Sequence, residues 1–133
     1  MPRSTSPILT EAELRLMDVL WQRGPSTVQE VQSALPAGLD LAYNSVLTTI
    51  RVLEKKGYVR HAKEKDGRAH VYRAVVRRED ASRSEIELLV SRFFEDSHER
   101  LVLNILESRK IDPEELRRLR KMLEDIPDES EGR

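Results

Sequence analysis

The chain contains no cysteine, so disulfide bonds, thiolate metal ligands and cysteine nucleophiles are all excluded. Aromatic side chains make up only 5% of its 133 residues, which argues against a surface that stacks single-stranded bases. No apolar run is long enough to span a bilayer, and the N-terminus lacks a signal-peptide pattern. A cytoplasmic location without membrane insertion is therefore expected.

The residue patterns of enzymes are also missing. Serine, histidine and acidic residues are present, but none lies in a nucleophile elbow, a phosphate-binding loop or a metal-ligand spacing. His61, His70 and His98 are scattered along the chain, and each is expected at the surface. The sequence therefore predicts no catalytic residue, no metal, no cofactor and no enzymatic activity.

Charge is distributed unevenly, although the net charge is only −1. Residues 1–78 hold 13 Lys and Arg against 8 Asp and Glu, whereas residues 79–133 hold 10 against 16. The stretch 51–78 alone holds 10 basic and 3 acidic residues. A basic segment beside an acidic one is typical of a polyanion-binding domain joined to a region with another role. We therefore divide the chain into domains 1–78 and 79–133.

Three helices are predicted in the first domain. Capping boxes at Thr10–Glu13 and Ser26–Gln29 open the first two helices. Gly24-Pro25 ends the first helix, and Pro36 and Gly38 end the second. The third helix covers residues 42–57, with Asn44 or Ser45 as its cap and a glycine at its end. Because a short turn joins the second and third helices, the pattern indicates a helix-turn-helix.

The third helix has two faces of different chemistry. Val46, Thr49, Ile50 and Leu53 recur at the helical period, on the face expected to lie against a core. The opposite face carries amide, hydroxyl, guanidinium and ammonium groups and no carboxylate, and such groups hydrogen-bond base edges and phosphates. An ordinary amphipathic surface helix is the alternative. The candidates for base contacts are Asn44, Ser45, Thr48 and Arg51.

A β-hairpin is predicted after the third helix. Residues 58–64 and 69–75 are strand-like, and Asp66-Gly67 between them is a hairpin signal. Three helices followed by such a hairpin form a winged helix. In this fold the third helix enters the major groove of double-stranded DNA, and the hairpin touches the neighbouring backbone or the minor groove. A winged helix that binds protein or RNA is the alternative. The candidates for phosphate contacts are Lys55, Arg60, Lys63, Lys65 and Arg68.

The second domain is predicted to be helical, with a frayed C-terminus after residue 126. Residues 101–106 are apolar nearly all round, so this helix is expected to be buried on more than one side. Because units of about 40 residues rarely stand alone, we predict a dimerisation region; three helices folded back on the first domain are the alternative. The candidate dimer contacts are Phe93, Leu101, Val102, Ile105, Leu106, Leu116, Leu119 and Leu123.

Four segments carry a further signal: LTEAELRLMDVLW at 9–21, YNSVLTTIRVLEKKGYV at 43–59, GRAHVYRAVV at 67–76 and RLVLNILES at 100–108. Their order and spacing resemble the penicillinase-repressor (BlaI/MecI/CopY-type) family of transcriptional regulators. The resemblance implies a mainly α fold with a small β-hairpin, in which a winged helix binds operator DNA and a C-terminal helical region forms the homodimer. It also implies a repressor of resistance genes that a sensor-linked protease inactivates.

Two departures from the family pattern concern regulation. The copper-responsive branch of the family carries a cysteine motif near its C-terminus, and the absence of cysteine excludes copper sensing by that route. The penicillinase branch is cut after an Asn that precedes Phe. The resemblance therefore implies a candidate cleavage site at Asn104-Ile105, with Ile in place of Phe.

Overall fold

The structure, a computed structural model, describes residues 8–63, 67, 69–108 and 110–127. Contacts divide the chain into two units, Met1–Ile86 and Glu87–Arg133. A helix, Arg78–Phe93, runs continuously through the predicted domain boundary. The division of roles at residue 78 stays a prediction.

A two-stranded antiparallel sheet follows three helices, as the sequence predicts. This order confirms a winged helix-turn-helix and a mainly α fold with a small β-hairpin. No helix in the described ranges has the length and apolar character needed to cross a membrane. The elements are α1 (Glu11–Arg23), α2 (Val28–Ala34), α3 (Tyr43–Lys56), β1 (Val59–Lys63), β2 (His70–Ala74), α4 (Arg78–Phe93), α5 (His98–Glu107) and α6 (Pro113–Asp125).

Capping boxes begin α1 and α2. In each, a threonine hydroxyl accepts from the backbone N–H three residues on, and the glutamate there accepts from the backbone N–H of the threonine. The box of α1 is the predicted pair Thr10 and Glu13. The box of α2 is Thr27 with Glu30, one residue later than predicted. Ser26 does not cap α2, because its backbone pairs with β2 through hydrogen bonds of 2.8 and 2.9 Å.

The start of α3 differs from the prediction. Ala42 occupies the N-cap position, the helix begins at Tyr43, and no side chain caps it. The predicted cap by Asn44 or Ser45 is therefore wrong, since both residues lie inside the first turn. The helix ends as predicted at Gly57, whose φ of 90° and ψ of 14° are left-handed and suit glycine.

A single hydrophobic core joins the three helices to the hairpin. Three predicted inward residues of α3, Val46, Ile50 and Leu53, are each 0% exposed and cluster with buried residues of α1. The fourth, Thr49, is only partly buried. Burial of each of the three apolar side chains contributes about 1.5–3 kcal/mol, which fixes one face of α3 against the core. The opposite face is left to solvent, so the predicted two-faced character of this helix is confirmed.

The hairpin is also confirmed, with β1 and β2 paired antiparallel. The last described pair is Lys63 opposite His70. The predicted Asp66-Gly67 turn lies mostly outside the described residues, as do Lys65 and Arg68.

The second unit contains the C-terminal end of α4 together with α5 and α6. Val90 is 1% exposed and is the one buried side chain described in residues 87–127. In the single chain residues 101–106 are not buried on more than one side, because Val102 and Leu103 are each 46% exposed. Burial of this segment in a dimer stays a prediction. Residues 128–133, predicted to be frayed, lie outside the described residues. A single copy of this unit leaves much of its apolar surface in water.

Candidate nucleic-acid interface

The outer face of α3 presents the polar side chains that the sequence singles out. Asn44, Thr48, Arg51 and Lys55 recur every three or four residues and therefore lie along one side of the helix. All four are exposed, as is the flanking Ser45. The described structure thus brings these candidates together on one continuous surface.

The single carboxylate of α3 belongs to Glu54, and His61 of β1 pairs with it. The two carboxylate oxygens lie 2.8 and 3.0 Å from His61 Nδ1. The His61 ring stacks on the ring of His70 in β2, with centroids 4.5 Å apart. These two histidines are scattered in the sequence, but the antiparallel register makes them diagonal neighbours in the hairpin. Together they connect α3 to both strands of the hairpin.

Tyr72 of β2 lies beside this histidine pair. Its ring centroid is 5.5 Å from that of His61, and the residue is 3% exposed. Burial raises the pKa of the Tyr72 hydroxyl, the Glu54 carboxylate raises it further, and the positive charge of Arg51 opposes both. Arg51 and Tyr72 line the same cleft.

A cleft of about 430 Å³ opens between α2, α3 and the hairpin, and we name it the wing cleft. Among its described lining residues there is no carboxylate. The sequence identified Arg51 alone, because the others come from elements that only the packing of the hairpin brings together. The polar side chains of the wing cleft are Thr27, Gln29, Tyr43, Arg51, His70 and Tyr72.

The hairpin adds basic side chains beside α3. Arg60 and Lys63 of β1 are exposed, as the sequence-based assignment requires. Arg60 lies directly opposite Arg73 of β2, which is also exposed and which the sequence did not single out. Like charges directly opposite each other destabilise a sheet, so this pair is better suited to a surface that meets a polyanion.

The predicted dimer contacts lie on exposed or partly buried positions of the second unit. Phe93 is 67% exposed and Leu123 is 65% exposed. The side chains of Val102, Ile105, Leu106 and Leu119 are 36–46% exposed, whereas Leu101 and Leu116 are partly buried.

The candidate cleavage site is accessible in the single chain. Asn104 and Ile105 are both exposed on α5. Asn104 lines a shallow groove of about 270 Å³ together with Phe94 and Arg100.

Known proteins similar to this chain are transcriptional regulators by name. The penicillinase repressor of Bacillus licheniformis is 29% identical over 119 residues, which are 90% of this chain and 91% of that protein. The transcriptional regulator BlaI of Mycobacterium tuberculosis is 42% identical over 73 residues, which are 54% of this chain and 51% of that protein.

A solved structure and a family match complete the comparison. The solution structure of the DNA-binding domain of the repressor BlaI is 29% identical, covers 59% of this chain and 93% of that chain, and has a TM-score of 0.49. The penicillinase repressor family matches residues 9–125, which include the six helices and two strands of the described ranges. The chain therefore belongs to the penicillinase repressor family.

Proposed function

We propose that this protein is a transcriptional repressor that binds double-stranded operator DNA through α3. The observation that carries this proposal is the exposed outer face of α3, which offers amide, hydroxyl and cationic groups beside a basic hairpin. An α-helix fits the major groove, where amides and hydroxyls read base edges. The names of the similar proteins, penicillinase repressor and BlaI, support the same function.

The contacts divide into two kinds. Asn44, Ser45 and Thr48 face base edges, and asparagine in particular can form two hydrogen bonds with adenine. Cationic side chains on either side of them contact phosphates and fix the register of the protein on the duplex. The proposed phosphate contacts are Lys55, Arg60, Lys63, Lys65 and Arg68.

Asn44→Ala is expected to weaken binding to an operator by about 1–3 kcal/mol and to leave binding to a random duplex nearly unchanged. Asn44 is exposed and does not cap α3, so its truncation leaves the fold intact. Fluorescence anisotropy with an operator selected from a random duplex pool, and with an unselected duplex, measures both affinities.

Lys63→Ala is the matched contrast, because a phosphate contact carries no sequence information. It is expected to weaken binding to both duplexes equally and to reduce the slope of log affinity against log salt by about 0.9. An Asn44→Ala variant that behaves in the same way would contradict base reading by Asn44.

The repressor acts as a homodimer formed by the second unit. This unit leaves Phe93, Leu123 and the apolar side of α5 exposed in one chain, and a second copy covers such surface most simply. Two winged helices related by a two-fold axis place two α3 helices in successive major grooves. The operator is then an inverted repeat with half-sites about 10 base pairs apart, or a multiple of this spacing.

A sensor-linked protease inactivates the repressor by cutting Asn104-Ile105. Because α5 buries no side chain in the single chain, local opening around this bond is inexpensive in the monomer, which favours cutting of the dissociated form. The cut detaches α6 and lowers DNA affinity through loss of the dimer.

Mass spectrometry of the protein from cells treated with a cell-wall antibiotic tests this proposal. Fragments that end at Asn104 are expected to accumulate as the target gene is expressed. An intact chain at full expression of the target would exclude proteolysis as the inactivating step.

A further inference from the structure

We propose that the wing cleft binds a phosphate group of the DNA backbone and that Arg51 contacts this phosphate rather than a base edge. The inference rests on the proposed function and specifies one of its contacts. It replaces the base contact that the sequence predicts for Arg51.

The chemistry of the described wall matches an oxyanion. Arg51 provides a permanent cation, while the Gln29 amide and the Tyr43 hydroxyl provide neutral donors. These groups come from α2 and α3 and approach the cleft from different sides. The described lining contains no carboxylate, so the wall itself offers an entering anion donors and no acidic side chain.

The position of Arg51 is restrained before any ligand binds. Arg51 lines the wing cleft together with Tyr72, which is 3% exposed and fixed in the core. The nearby carboxylate, Glu54, is paired with His61 at 2.8 Å. Arg51 is therefore directed toward the hairpin side of α3, and ordering it on binding costs less entropy than ordering a free arginine.

The location of the cleft favours a phosphate over a base. Bases form the floor of the major groove, whereas phosphates line its two rims. If α3 lies in the groove, then α2 and the hairpin, which flank it, meet a rim. The cleft lies between α3 and these flanking elements, and its volume of about 430 Å³ has room for a phosphodiester with its sugar.

A methylphosphonate scan of the selected operator tests the contact directly. With the native protein, one neutral linkage per half-site is expected to lower affinity about tenfold or more, as for a lost hydrogen bond to a charged group. Arg51→Gln is expected to lower affinity for the unmodified operator and for a random duplex by a similar factor. It should show no further loss at that same linkage, because the two changes remove one interaction.

Arg83→Gln is the matched control. Arg83 is an arginine of the first unit with 70% side-chain exposure, and it lies on α4, outside α3 and the hairpin. This variant removes the same charge, and it is expected to keep the native affinity and the native pattern of sensitive linkages.

Coupling of Arg51→Gln to a base-pair substitution, and to no linkage, would overturn the proposal and return Arg51 to base reading. Absence of any coupling while the native protein still binds its operator would also overturn it. The proposed function would stand in both cases.

A titration with inorganic phosphate tests whether the wing cleft binds phosphate when no duplex is present. Titrated into the DNA-free protein, it is expected to shift the side-chain amide signals of Gln29 and the ring signals of His70, and Arg51→Gln should abolish these shifts. Such shifts in a protein that binds no duplex would retain the phosphate site and reject the proposed function. If Arg51→Gln couples to one backbone linkage but phosphate causes no shifts, the cleft binds phosphate only as part of the duplex backbone. If neither coupling nor shifts are seen, the phosphate site is rejected.

Discussion

Lys56→Ala is expected to lower the free energy of unfolding of the first unit by about 3–5 kcal/mol. Lys56 Nζ lies 2.7 Å from Glu13 Oε1, and the two side chains are only 7% and 8% exposed. The substitution leaves the Glu13 carboxylate buried without its cation, and the Ile8 carbonyl loses this donor. Because small domains are stable by about 5–15 kcal/mol, a loss of this size is a large fraction of the total.

Urea denaturation followed by tryptophan fluorescence measures this effect. The chain has one tryptophan, Trp21, whose indole N–H donates to the Val76 carbonyl at 2.8 Å within the first unit. Lys55→Ala is the matched control, since Lys55 is the exposed neighbour on the same helix. Its expected change is within about 0.5 kcal/mol.

A double variant separates loss of the cation from loss of packing. Glu13→Gln with Lys56→Met removes both charges while keeping similar side-chain volumes, and it is expected to recover most of the stability that Lys56→Ala loses. The amide oxygen that Glu13→Gln introduces can still accept from the Thr10 N–H, as the Glu13 carboxylate does at 2.9 Å. An unfolding midpoint of Lys56→Ala equal to that of Lys55→Ala would show that the buried pair contributes nothing.

The ion pair between Glu13 and Lys56 could not be predicted from the sequence. Glu13 is the predicted capping residue of α1, and Lys56 lies in the last turn of α3, where a cation suits the helix C-terminus. Their direct contact spans 43 residues of sequence, and neither local pattern contains information about it. The contact joins the start of α1 to the end of α3, and so helps to hold the proposed DNA-binding helix in place.

Local signals were sufficient where no distant partner competed with them. The Thr10 capping box and the Gly57 end of α3 were predicted because their hydrogen bonds involve only neighbouring residues. The second capping box lies one residue later than predicted, because two capping-box patterns overlap in the sequence there. The bridge between Ser26 and Tyr72, 46 positions apart, decided between them.

The start of α4 is polar and charged, a composition that is also typical of a junction between domains. Asp80 pairs with Arg77 and Arg83, each three residues away, and such pairs support a helix. The hydrogen bond from Arg77 holds the pKa of the Asp80 carboxyl below its usual value. Ala81 is 4% exposed and anchors this turn in the core of the first unit, so a charged composition alone did not identify a linker.

The candidate site was predictable only in part. The helical period was sufficient to place Asn44, Thr48 and Lys55 on one face of α3. The wing cleft depends on the register of the hairpin, and the sequence does not indicate the inward faces of the two strands because their alternation is imperfect. In β1 only Val59 is buried, so most of that strand carries no inward pattern to read.

Leu123→Asp is expected to convert the proposed homodimer into monomers and to lower affinity for an inverted-repeat operator by about 10²–10⁴-fold. Leu123 is 65% exposed in the single chain, so the substitution removes no core contact from the monomer. In a dimer the new carboxylate would be buried against apolar side chains without a cation, and the interface would separate to hydrate it. Each released winged helix then binds one half-site without the benefit of its linked partner.

Sedimentation equilibrium measures dimer formation, and fluorescence anisotropy measures affinity for an inverted-repeat duplex and for a duplex with an isolated half-site. Affinity for an isolated half-site is expected to stay unchanged, because the winged helix has its own core and keeps its fold. Lys121→Gln is the control, since it changes the charge of α6 by the same amount and lies two residues away, on the opposite side of the helix. A Leu123→Asp protein that remains dimeric at native affinity would show that this face of α6 lies outside the interface. A monomer with undiminished affinity for the inverted repeat would show that operator binding does not require the dimer.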